Sequence, residues 1–318
     1  MTARPLALSL GDPAGIGPEI TAKAWRALRE TGPAFMVVGD AHSLIAAPDG
    51  PTPVRVVAGP DEAQRVFADA VPVLEMPLAS PVIAGQPSAA NAPAVIRWIE
   101  TAAGLALSGA VSGVVTAPIA KAPLYAAGFR FPGHTEFLAE LTAGGLRVAL
   151  VTIHEALAAV PGLLTVEKIV NAGLVTAQAL KRDFGIDEPR LAVAGLNPHA
   201  GESGSIGREE IEIVQPAVRA LRELGVDASG PSPADTLFHV EARARYDAVL
   251  CLYHDQALIP VKMLDFWGGV NVTLGLSIVR TSPDHGTGFD IAGRGLARAD
   301  SMIAAIRLAA EIAGRRAG

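Results

Sequence analysis

Short apolar runs alternate with longer amphipathic segments from one end of the sequence to the other. The runs have the length and the β-branched content of buried strands, and the segments between them have helical spacing. Alternation of this kind is typical of an α/β fold with a largely parallel sheet. The predicted strands are Leu6–Leu10, Phe35–Val38, Val54–Val57, Val111–Thr116, Arg147–Ile153, Leu191–Leu196, Ala248–Tyr253 and Val270–Leu274.

The clearest helix is predicted over Val166–Phe184. Its apolar residues recur at helical spacing, Thr165 is a suitable N-cap, and Gly185 follows as a stop. We find no internal repeat, no coiled-coil heptad and no low-complexity tract, so the chain is expected to form one or two globular α/β domains.

Composition and charge restrict the function. The chain has 318 residues, half of them apolar, with 32 acidic and 26 basic residues and a formal net charge of −6. This acidic balance argues against broad nucleic-acid binding, which needs a basic surface, but it does not exclude a local cationic pocket. The single cysteine, Cys251, excludes an intramolecular disulfide and a cysteine-based zinc cluster.

Neither a secretory signal nor a membrane span is predicted. The apolar run at residues 5–10 is too short for a signal peptide. The uncharged stretch Thr101–Ile119 is long enough for a span but contains several glycines and serines, so we interpret it as a helix end followed by a buried strand. We therefore expect a cytoplasmic protein with no membrane partner.

Three histidines follow directly on predicted strands. They are His154, His199 and His254. Groups just beyond the carboxyl ends of parallel strands line one crevice, so these imidazoles can converge on a divalent metal ion. Each of them taken alone is better explained as a hydrogen-bonded loop histidine, and only their equivalent positions make the two explanations equally good. The pattern indicates a metal site and leaves the structural alternative open.

Two further segments could bind anions. Gly11–Glu19 joins a strand to a helix but matches neither nucleotide-binding pattern, which favours a tight structural turn. In the last quarter, Lys262 and Arg280 flank strand-like segments and could hold a phosphate or carboxylate, or could be ordinary surface cations. The glycine-rich segment Asp284–Gly295 could let a nucleotide approach the backbone, or could be a surface connection.

Taken together in order, the motifs resemble the signature set of the PdxA family, the 4-hydroxythreonine-4-phosphate dehydrogenases of vitamin B6 synthesis. The resemblance covers nearly the whole chain. The motifs that carry it are Gly11–Glu19, Pro132–Phe137, Leu196–Glu202, Pro233–Thr236, Tyr253–Gln256, Gly269–Gly275 and Arg280–Ser282. The segment Asp284–Gly295 is also similar to the cofactor loop of isopropylmalate and isocitrate dehydrogenases.

The resemblance implies an isocitrate/isopropylmalate dehydrogenase-like fold with two α/β/α domains and an interdomain cleft. We expect residues 1–122 and 263–318 to form a first, discontinuous domain and residues 123–262 to form a second domain with the dimer interface. The resemblance further implies a homodimer in which both chains contribute to each active site.

The resemblance also implies roles for individual residues. His154, His199 and His254 match metal ligands contributed across the dimer, for one divalent ion such as Zn, Mg or Co. No catalytic side chain is expected beyond this metal site. Substrate contacts are expected at His134, Thr135, Lys262, Asn271 and Arg280. NAD or NADP contacts are expected at Asp284, His285, Gly286, Asp290 and Gly293.

The reaction implied is NAD(P)-dependent oxidation of the C3 hydroxyl of 4-phosphooxy-L-threonine, followed by decarboxylation to 3-amino-2-oxopropyl phosphate. Two departures from the family pattern bear on it. The segment at residues 138–145 is shorter than in the family pattern. Either an edge strand has been lost, or residues are missing from the sequence. In addition, Glu155 stands where relatives usually carry an apolar residue. This carboxylate could alter substrate preference or could simply face solvent.

Alternatives remain at this stage. The motifs also fit a paralogue acting on 4-phospho-D-threonate, on D-erythronate or on a cyclic dihydrodiol acid, although the segment Gly133–Glu136 speaks against the dihydrodiol branch. A non-catalytic metabolite-binding domain gives no reason for the three histidines. A metal-dependent hydrolase explains the histidines but gives no role to Asp284–Gly295.

Overall fold

The computed structural model describes residues 4–48, 50–120, 137–141 and 145–318, the side chains of 137–141 excepted. The chain divides into two compact units. The first unit comprises Met1–His134 and Leu276–Gly318, and the second comprises Thr135–Gly275. These boundaries lie later than the predicted ones, after residues 134 and 275 instead of 122 and 262.

Strands and helices alternate along both units, as the sequence pattern predicts, and the α/β class is confirmed. The strands, numbered along the chain, are β1 (Leu6–Ser9), β2 (Phe35–Gly39), β3 (Val54–Val56), β4 (Val71–Glu75), β5 (Val114–Thr116), β6 (Phe137–Leu141), β7 (Arg147–Leu150), β8 (Arg190–Ala194), β9 (Asp227–Ser232), β10 (Ala248–Cys251), β11 (Val270–Leu274) and β12 (Arg280–Pro283). The helices are α1 (Gly17–Leu28), α2 (Ala41–Ile45), α3 (Pro60–Val66), α4 (Ala92–Leu107), α5 (Val160–Leu163), α6 (Val166–Phe184), α7 (Gln215–Glu223), α8 (Val240–Arg243), α9 (His254–Leu264) and α10 (Asp300–Ala317).

The sheet of the first unit has the order β3-β4-β2-β1-β5-β12, and all its pairs are parallel. Helix α4 packs on β1 and β2, and α10 packs on β12 and α1. Two buried tryptophans fix the packing, because Trp25 donates to the carbonyl of Phe67 (2.7 Å) and Trp98 to that of Met76 (2.9 Å). The carboxyl ends of the parallel strands therefore meet at one edge, where loops can form a site.

The sheet of the second unit has the order β11-β6-β7-β10-β8-β9. Its strands β7, β10, β8 and β9 are parallel neighbours, whereas β6 is antiparallel to both β7 and β11. The short segment at residues 138–145 thus still supplies an interior strand of this sheet, β6. Because β11 pairs with β6, the second unit extends past the boundary predicted after residue 262.

The predicted helix Val166–Phe184 is confirmed as α6 at both ends. The hydroxyl of Thr165 accepts a hydrogen bond from the backbone N–H of Lys168, and Gly185 has φ 66°, the left-handed conformation that ends many helices. The uncharged stretch Thr101–Ile119 contains the end of α4 and then β5, as interpreted. Across the described residues no single helix is long and apolar enough to span a bilayer; α6 passes such a test only jointly with Leu157–Leu163, from which it is bent by 93°.

Candidate functional site

The three histidines singled out by sequence all follow strands of the second unit. Strands β7, β10 and β8 are adjacent and parallel, so their carboxyl ends lie at the same edge of the sheet. His154 follows β7, His254 begins α9 directly after β10, and His199 follows β8. The fold therefore brings the three segments that follow these strands to one edge of the sheet, as expected from the sequence.

Two of the imidazoles lie next to each other. The ring centroids of His154 and His254 are 5.6 Å apart, with an angle of 43° between the ring planes. They share an open pocket of about 260 Å³ in the second unit. The residues that line it are Ile153, His154, Glu155, Leu157, Val160, Tyr253, His254 and Asp255. Glu155 thus adds a carboxylate to the wall of this pocket, and its side chain is exposed.

A carboxylate orients one of these rings. Nδ1 of His254 lies 2.7 Å from Oδ1 of Asp255. An ionised carboxylate only accepts, so this contact requires a proton on Nδ1. In the neutral ring the lone pair of Nε2 is then left to bind a metal ion. Carboxylate–histidine pairs of this kind orient the imidazole ligands of metal sites. The donor chemistry at His254 is therefore suited to a divalent ion.

His199 occupies an unusual backbone segment. Residues His199 to Ser203 all have positive φ, between 42° and 79°, and only one of the five is a glycine. The side chain of His199 is exposed. Over the part of the chain that the structure describes, no three histidine, cysteine or carboxylate side chains are grouped so that they could hold a metal ion. The single chain therefore assembles His154 and His254, and it does not add His199 to them as a third ligand.

The remaining predicted substrate residues of the second unit lie on α9 and β11. Lys262 is half-buried on α9, and its ammonium lies 5.7 Å from the centre of the Phe266 ring. Asn271 is half-buried on β11. The other two predicted contacts, His134 and Thr135, fall outside the described residues.

In the first unit, Arg280 begins β12 and pairs with Val114, the first residue of β5. Its Nη2 donates a 2.7 Å hydrogen bond to the hydroxyl of Thr116. This bond holds the guanidinium beside Thr116, the last residue of β5. The sequence analysis did not identify Thr116 as a site residue, because in the sequence it is only the last residue of a predicted apolar strand.

The candidate cofactor segment Asp284–Gly295 packs against the turn at Gly11–Glu19. The N–H of Ile16 donates to the carbonyl of Thr287 (2.8 Å), and a Cβ on Gly15 would stand 2.7 Å from that same oxygen. A side chain at position 15 would therefore displace the segment. The turn was predicted to be structural, and in the structure it holds part of the glycine-rich segment in place.

The predicted cofactor contacts are spread along that segment. The N–H of Asp284 donates to the hydroxyl of Ser301 (3.0 Å), and His285 is exposed next to Gly286. Asp290 is exposed, and Gly293 has φ 74° and would meet the side chain of Ala84 if it carried a Cβ. The space beside Gly286 is open, whereas Gly293 is closely packed against Ala84. A larger residue at either position would therefore change the space around the backbone.

A lysine fixes the end of the segment. Nζ of Lys23 donates to Oε1 of Glu19 (2.8 Å) and to the carbonyls of Gly295 (2.9 Å) and Ala297 (2.7 Å). Glu19 is 2% exposed, and its Oε1 also accepts from the N–H of Ala297 (2.8 Å). The ion pair on α1 thus anchors the chain just after the candidate cofactor residues.

One buried acid in this unit was missed by the sequence analysis. Asp12, in the turn after β1, is 8% exposed and accepts from the N–H of Ala14 at 3.0 Å. Burial raises the pKa of its carboxyl, and the N–H groups of Ala14 and Ala120 offset part of that rise. Buried acids with raised pKa values are common at functional sites. In the sequence, Asp12 is indistinguishable from a turn residue.

Known proteins resemble this chain along its whole length. A family model described as "Pyridoxal phosphate biosynthetic protein PdxA" matches residues 32–309. The chain belongs to the PdxA family. A PdxA-family relative from Caulobacter vibrioides, named 4-hydroxythreonine-4-phosphate dehydrogenase, is 70% identical over 332 residues, covering 99% of each chain. The resemblance seen in the motifs is thereby confirmed.

Solved structures give the same result for the fold. The crystal structure of 4-hydroxythreonine-4-phosphate dehydrogenase from Klebsiella pneumoniae has a TM-score of 0.84 and 39% identity, with 98% of each chain covered. A terephthalate 1,2-cis-dihydrodiol dehydrogenase from Burkholderia xenovorans has a TM-score of 0.64 and 31% identity, covering 97% of this chain and 98% of the other. The PdxA fold therefore also occurs in a dehydrogenase named for a different substrate.

The alignment with the Caulobacter relative is longer than this chain. It spans 332 positions against 318 residues, a difference of 14, so this chain lacks at least 14 positions that the alignment contains.

Proposed function

We propose that this chain is a metal-dependent, NAD(P)-linked 4-hydroxythreonine-4-phosphate dehydrogenase. It would oxidise the C3 hydroxyl of 4-phosphooxy-L-threonine, and the product would lose CO₂ to give 3-amino-2-oxopropyl phosphate for pyridoxal phosphate synthesis. The observation that carries the proposal is the pairing of His154 with His254 beside Asp255, at the strand ends of a PdxA-family chain. A cytoplasmic location is part of the proposal, and the single buried thiol of Cys251 suits a reducing compartment.

The metal ligands we propose are His154, His199 and His254. Neutral imidazoles suit Zn²⁺ and Co²⁺ better than Mg²⁺, which prefers oxygen ligands. A divalent ion bound there supplies Lewis-acid chemistry, favouring loss of the hydroxyl proton and then stabilising charge on the oxidised carbon's oxygen. Since the single chain pairs only two of these rings, the proposal includes a second copy of the chain that completes the ligand set.

Charged and polar residues of each unit would bind the substrate. In the second unit, Lys262 would bind an anionic group of the substrate and Asn271 would hydrogen-bond to it. In the first unit, Arg280 offers a fork of donors already oriented by Thr116, the geometry that suits a phosphate or carboxylate. His134 and Thr135 are proposed as further contacts from the family motif alone.

The nicotinamide cofactor is proposed to bind at Asp284–Gly295, with Asp284, His285, Gly286, Asp290 and Gly293 as contacts. The contribution of the protein is to fix this backbone, through Ile16 and Lys23, so that the cofactor is bound in one orientation. Hydride transfer itself is the chemistry of the cofactor.

A homodimer is supported by an exposed apolar patch on the second unit. Ile259, Met263, Phe266 and Trp267 lie on α9 or directly after it and are 66%, 76%, 61% and 51% exposed. Large apolar side chains grouped on a surface mark association sites. We propose that a second copy of the chain covers this patch, and sedimentation velocity on the protein and on Met263→Glu would test it: a dimer that the charge weakens supports the proposal.

The substrate is tested by steady-state NADH or NADPH formation. We expect turnover of 4-phosphooxy-L-threonine, loss of turnover on chelation of the metal, and recovery on adding Zn²⁺ or Co²⁺. Metal content should fall in His199→Ala and His254→Ala and stay unchanged in His239→Ala, a matched exposed histidine bonded to Glu241. No turnover of 4-phosphooxy-L-threonine by the metal-loaded protein would contradict the assignment.

A second candidate is a related dehydrogenase with another substrate. The fold likeness to a terephthalate dihydrodiol dehydrogenase favours testing a cyclic dihydrodiol acid, and 4-phospho-D-threonate and D-erythronate belong in the same assay. The carboxylate of Glu155 in the pocket with His154 and His254 is the feature that could change substrate preference. Turnover of one of these acids in place of 4-phosphooxy-L-threonine would establish the alternative.

A further inference from the structure

The three strand exits that lead to the histidines are linked by buried polar side chains. The first link joins the ends of β7 and β10. The hydroxyl of Thr152, two residues before His154, donates to the carbonyl of Leu252 at 2.7 Å, and the N–H of Thr152 approaches that same oxygen at 3.3 Å. Leu252 is itself two residues before His254. Thr152 is 6% exposed, so water does not compete strongly for this carbonyl.

The second link joins the ends of β10 and β8 through Gln256. Its Oε1 accepts from the N–H of Leu252 and its Nε2 donates to the carbonyl of Gly195, both at 2.7 Å. Gln256 is 7% exposed. The Gln256 amide thus links Leu252, two residues before His254, to Gly195, the residue that follows β8.

The third link holds the backbone on the way to His199. Oε1 of Glu210 accepts from the N–H groups of Leu196 (2.8 Å) and Asn197 (2.7 Å), and Oε2 accepts from the amide of Asn197 at 3.0 Å. Glu210 is 1% exposed and begins a π-helical turn, Glu210–Val214. Its position is tight, because a Cβ on Gly201 would stand 2.6 Å from Oε2.

The segment that Glu210 holds is strained. His199, Ala200, Glu202 and Ser203 all have φ between 42° and 55°. Left-handed backbone is unfavourable for residues other than glycine, and such conformations persist only where the surroundings impose them. The carboxylate of Glu210, with three backbone or amide donors, constrains the chain at the entry of this turn.

We infer that Gln256 and Glu210 are positioning residues for metal binding: Gln256 holds the backbone that leads to His254, and Glu210 holds the backbone that leads to His199. This inference rests on the proposed metal site. Neither side chain is assigned any contact with metal or substrate; each acts through the backbone that carries a ligand. Residues that orient metal ligands from behind typically change metal affinity about 10–100-fold when they are substituted.

The test compares Gln256→Met and Glu210→Gln with the matched surface variants Gln215→Met and Glu212→Gln, whose native side chains are exposed. Three quantities are measured on the purified full-length chain: the dissociation constant for Zn²⁺ by chelator competition, the visible absorption of the Co²⁺ form, and the apo-protein thermal midpoint. We expect Zn²⁺ to bind about 10-fold or more weakly in both buried variants, with an altered Co²⁺ spectrum, and no change in the surface variants.

A purely structural role would lower the thermal midpoint of the buried variants and leave Zn²⁺ affinity and the Co²⁺ spectrum unchanged in the folded protein. That result would overturn the inference while the proposed function stands. The proposed function is tested separately by His254→Ala: if the unaltered chain binds Zn²⁺ no better than this variant, the metal site itself is wrong. If Glu210→Gln does not fold, the Zn²⁺ affinity of Gln256→Met alone decides the inference. This substitution removes the Gln256 amide and leaves the hydrogen bonds of Glu210 in place.

Discussion

Nδ1 of His254 and Oδ1 of Asp255 lie 2.7 Å apart, and this contact determines which nitrogen of the ring can bind a metal ion. A second pair in the chain has the same chemistry, since Nδ1 of His239 lies 2.8 Å from Oε2 of Glu241. The second pair is not part of the pocket that contains His154 and His254. The two pairs therefore provide a test and its internal control.

Asp255→Asn should weaken Zn²⁺ binding about 10-fold, because an amide orients the imidazole less strongly than a carboxylate and lowers its basicity. Glu241→Gln, the same change beside His239, should leave the dissociation constant unchanged. Chelator competition at pH 7.5 measures both. Equal affinities in Asp255→Asn and the unaltered chain would show that the Asp255 carboxylate does not tune the ligand.

Thr116→Val should raise the KM for the phosphorylated substrate. The substitution removes the hydroxyl that accepts from Nη2 of Arg280, and a hydrogen bond of this kind contributes about 1 kcal/mol, or roughly 5-fold in kcat/KM. Thr176→Val is the control, because the hydroxyl of Thr176 donates to the carbonyl of Ala172 within α6. Steady-state kinetics would contradict the role of Thr116 if both variants behaved alike.

Lys23→Met should weaken NAD(P) binding and lower stability. The ammonium of Lys23 bonds to Glu19 and to two carbonyls at the end of the candidate cofactor segment, and its loss leaves a 2% exposed carboxylate without its cation. Removing one partner of a buried pair costs about 3 kcal/mol in unfolding free energy. Urea unfolding measures the loss of stability and cofactor titration measures the loss of affinity, with Lys181→Met at an exposed lysine as the control. An unchanged cofactor affinity in Lys23→Met would show that this segment does not bind the cofactor.

Tyr246 should make the unfolding free energy fall at alkaline pH. Burial raises the pKa of its hydroxyl to about 12 from 10.0, and the hydroxyl donates to the carbonyl of Leu237 at 2.7 Å. Because the folded state holds the proton more tightly, this contribution is complete below pH 10 and is lost as pH rises from 10 towards 12.

Tyr246→Phe provides the comparison. At pH 8 the variant should be less stable by about 1 kcal/mol, the contribution of one hydrogen bond. At pH 11 the deficit should vanish or reverse, since the unaltered chain then loses about 1.4 kcal/mol to the ionisation linkage. Urea unfolding at both pH values measures this difference, and a deficit that stays constant with pH would show that the Tyr246 hydroxyl is not linked to folding.

The sequence predicted those strands and helices whose buried side chains give a clear apolar pattern. Strands β1, β2 and β11 and helix α6 agree with the predictions to within a residue or two, because their apolar side chains face a core. Strands β4, β9 and β12 were missed for identifiable reasons. The segment Val71–Glu75 contains a proline, Asp227–Ser232 contains glycine and proline, and Arg280–Pro283 is polar, so none of them has the alternation of a half-buried strand.

The candidate site was predictable only in part. Positions just after strands indicated His154, His199 and His254, because strand exits of a parallel sheet share an edge. The supporting residues were not predictable, since Gln256 and Glu210 look like surface residues in the sequence and are buried only by long-range packing. The left-handed turn after Asn197 was equally invisible, because the residues that follow have no preference for that backbone.

The order of elements along the chain also affects the order of synthesis. Strand β12 and helix α10 complete the first unit, yet they are synthesised after the whole second unit. At typical translation rates the second unit takes on the order of 10 s to emerge, and during this time β5 has no β12 to pair with. The first unit can therefore be completed only after the last residues of the second unit have been made.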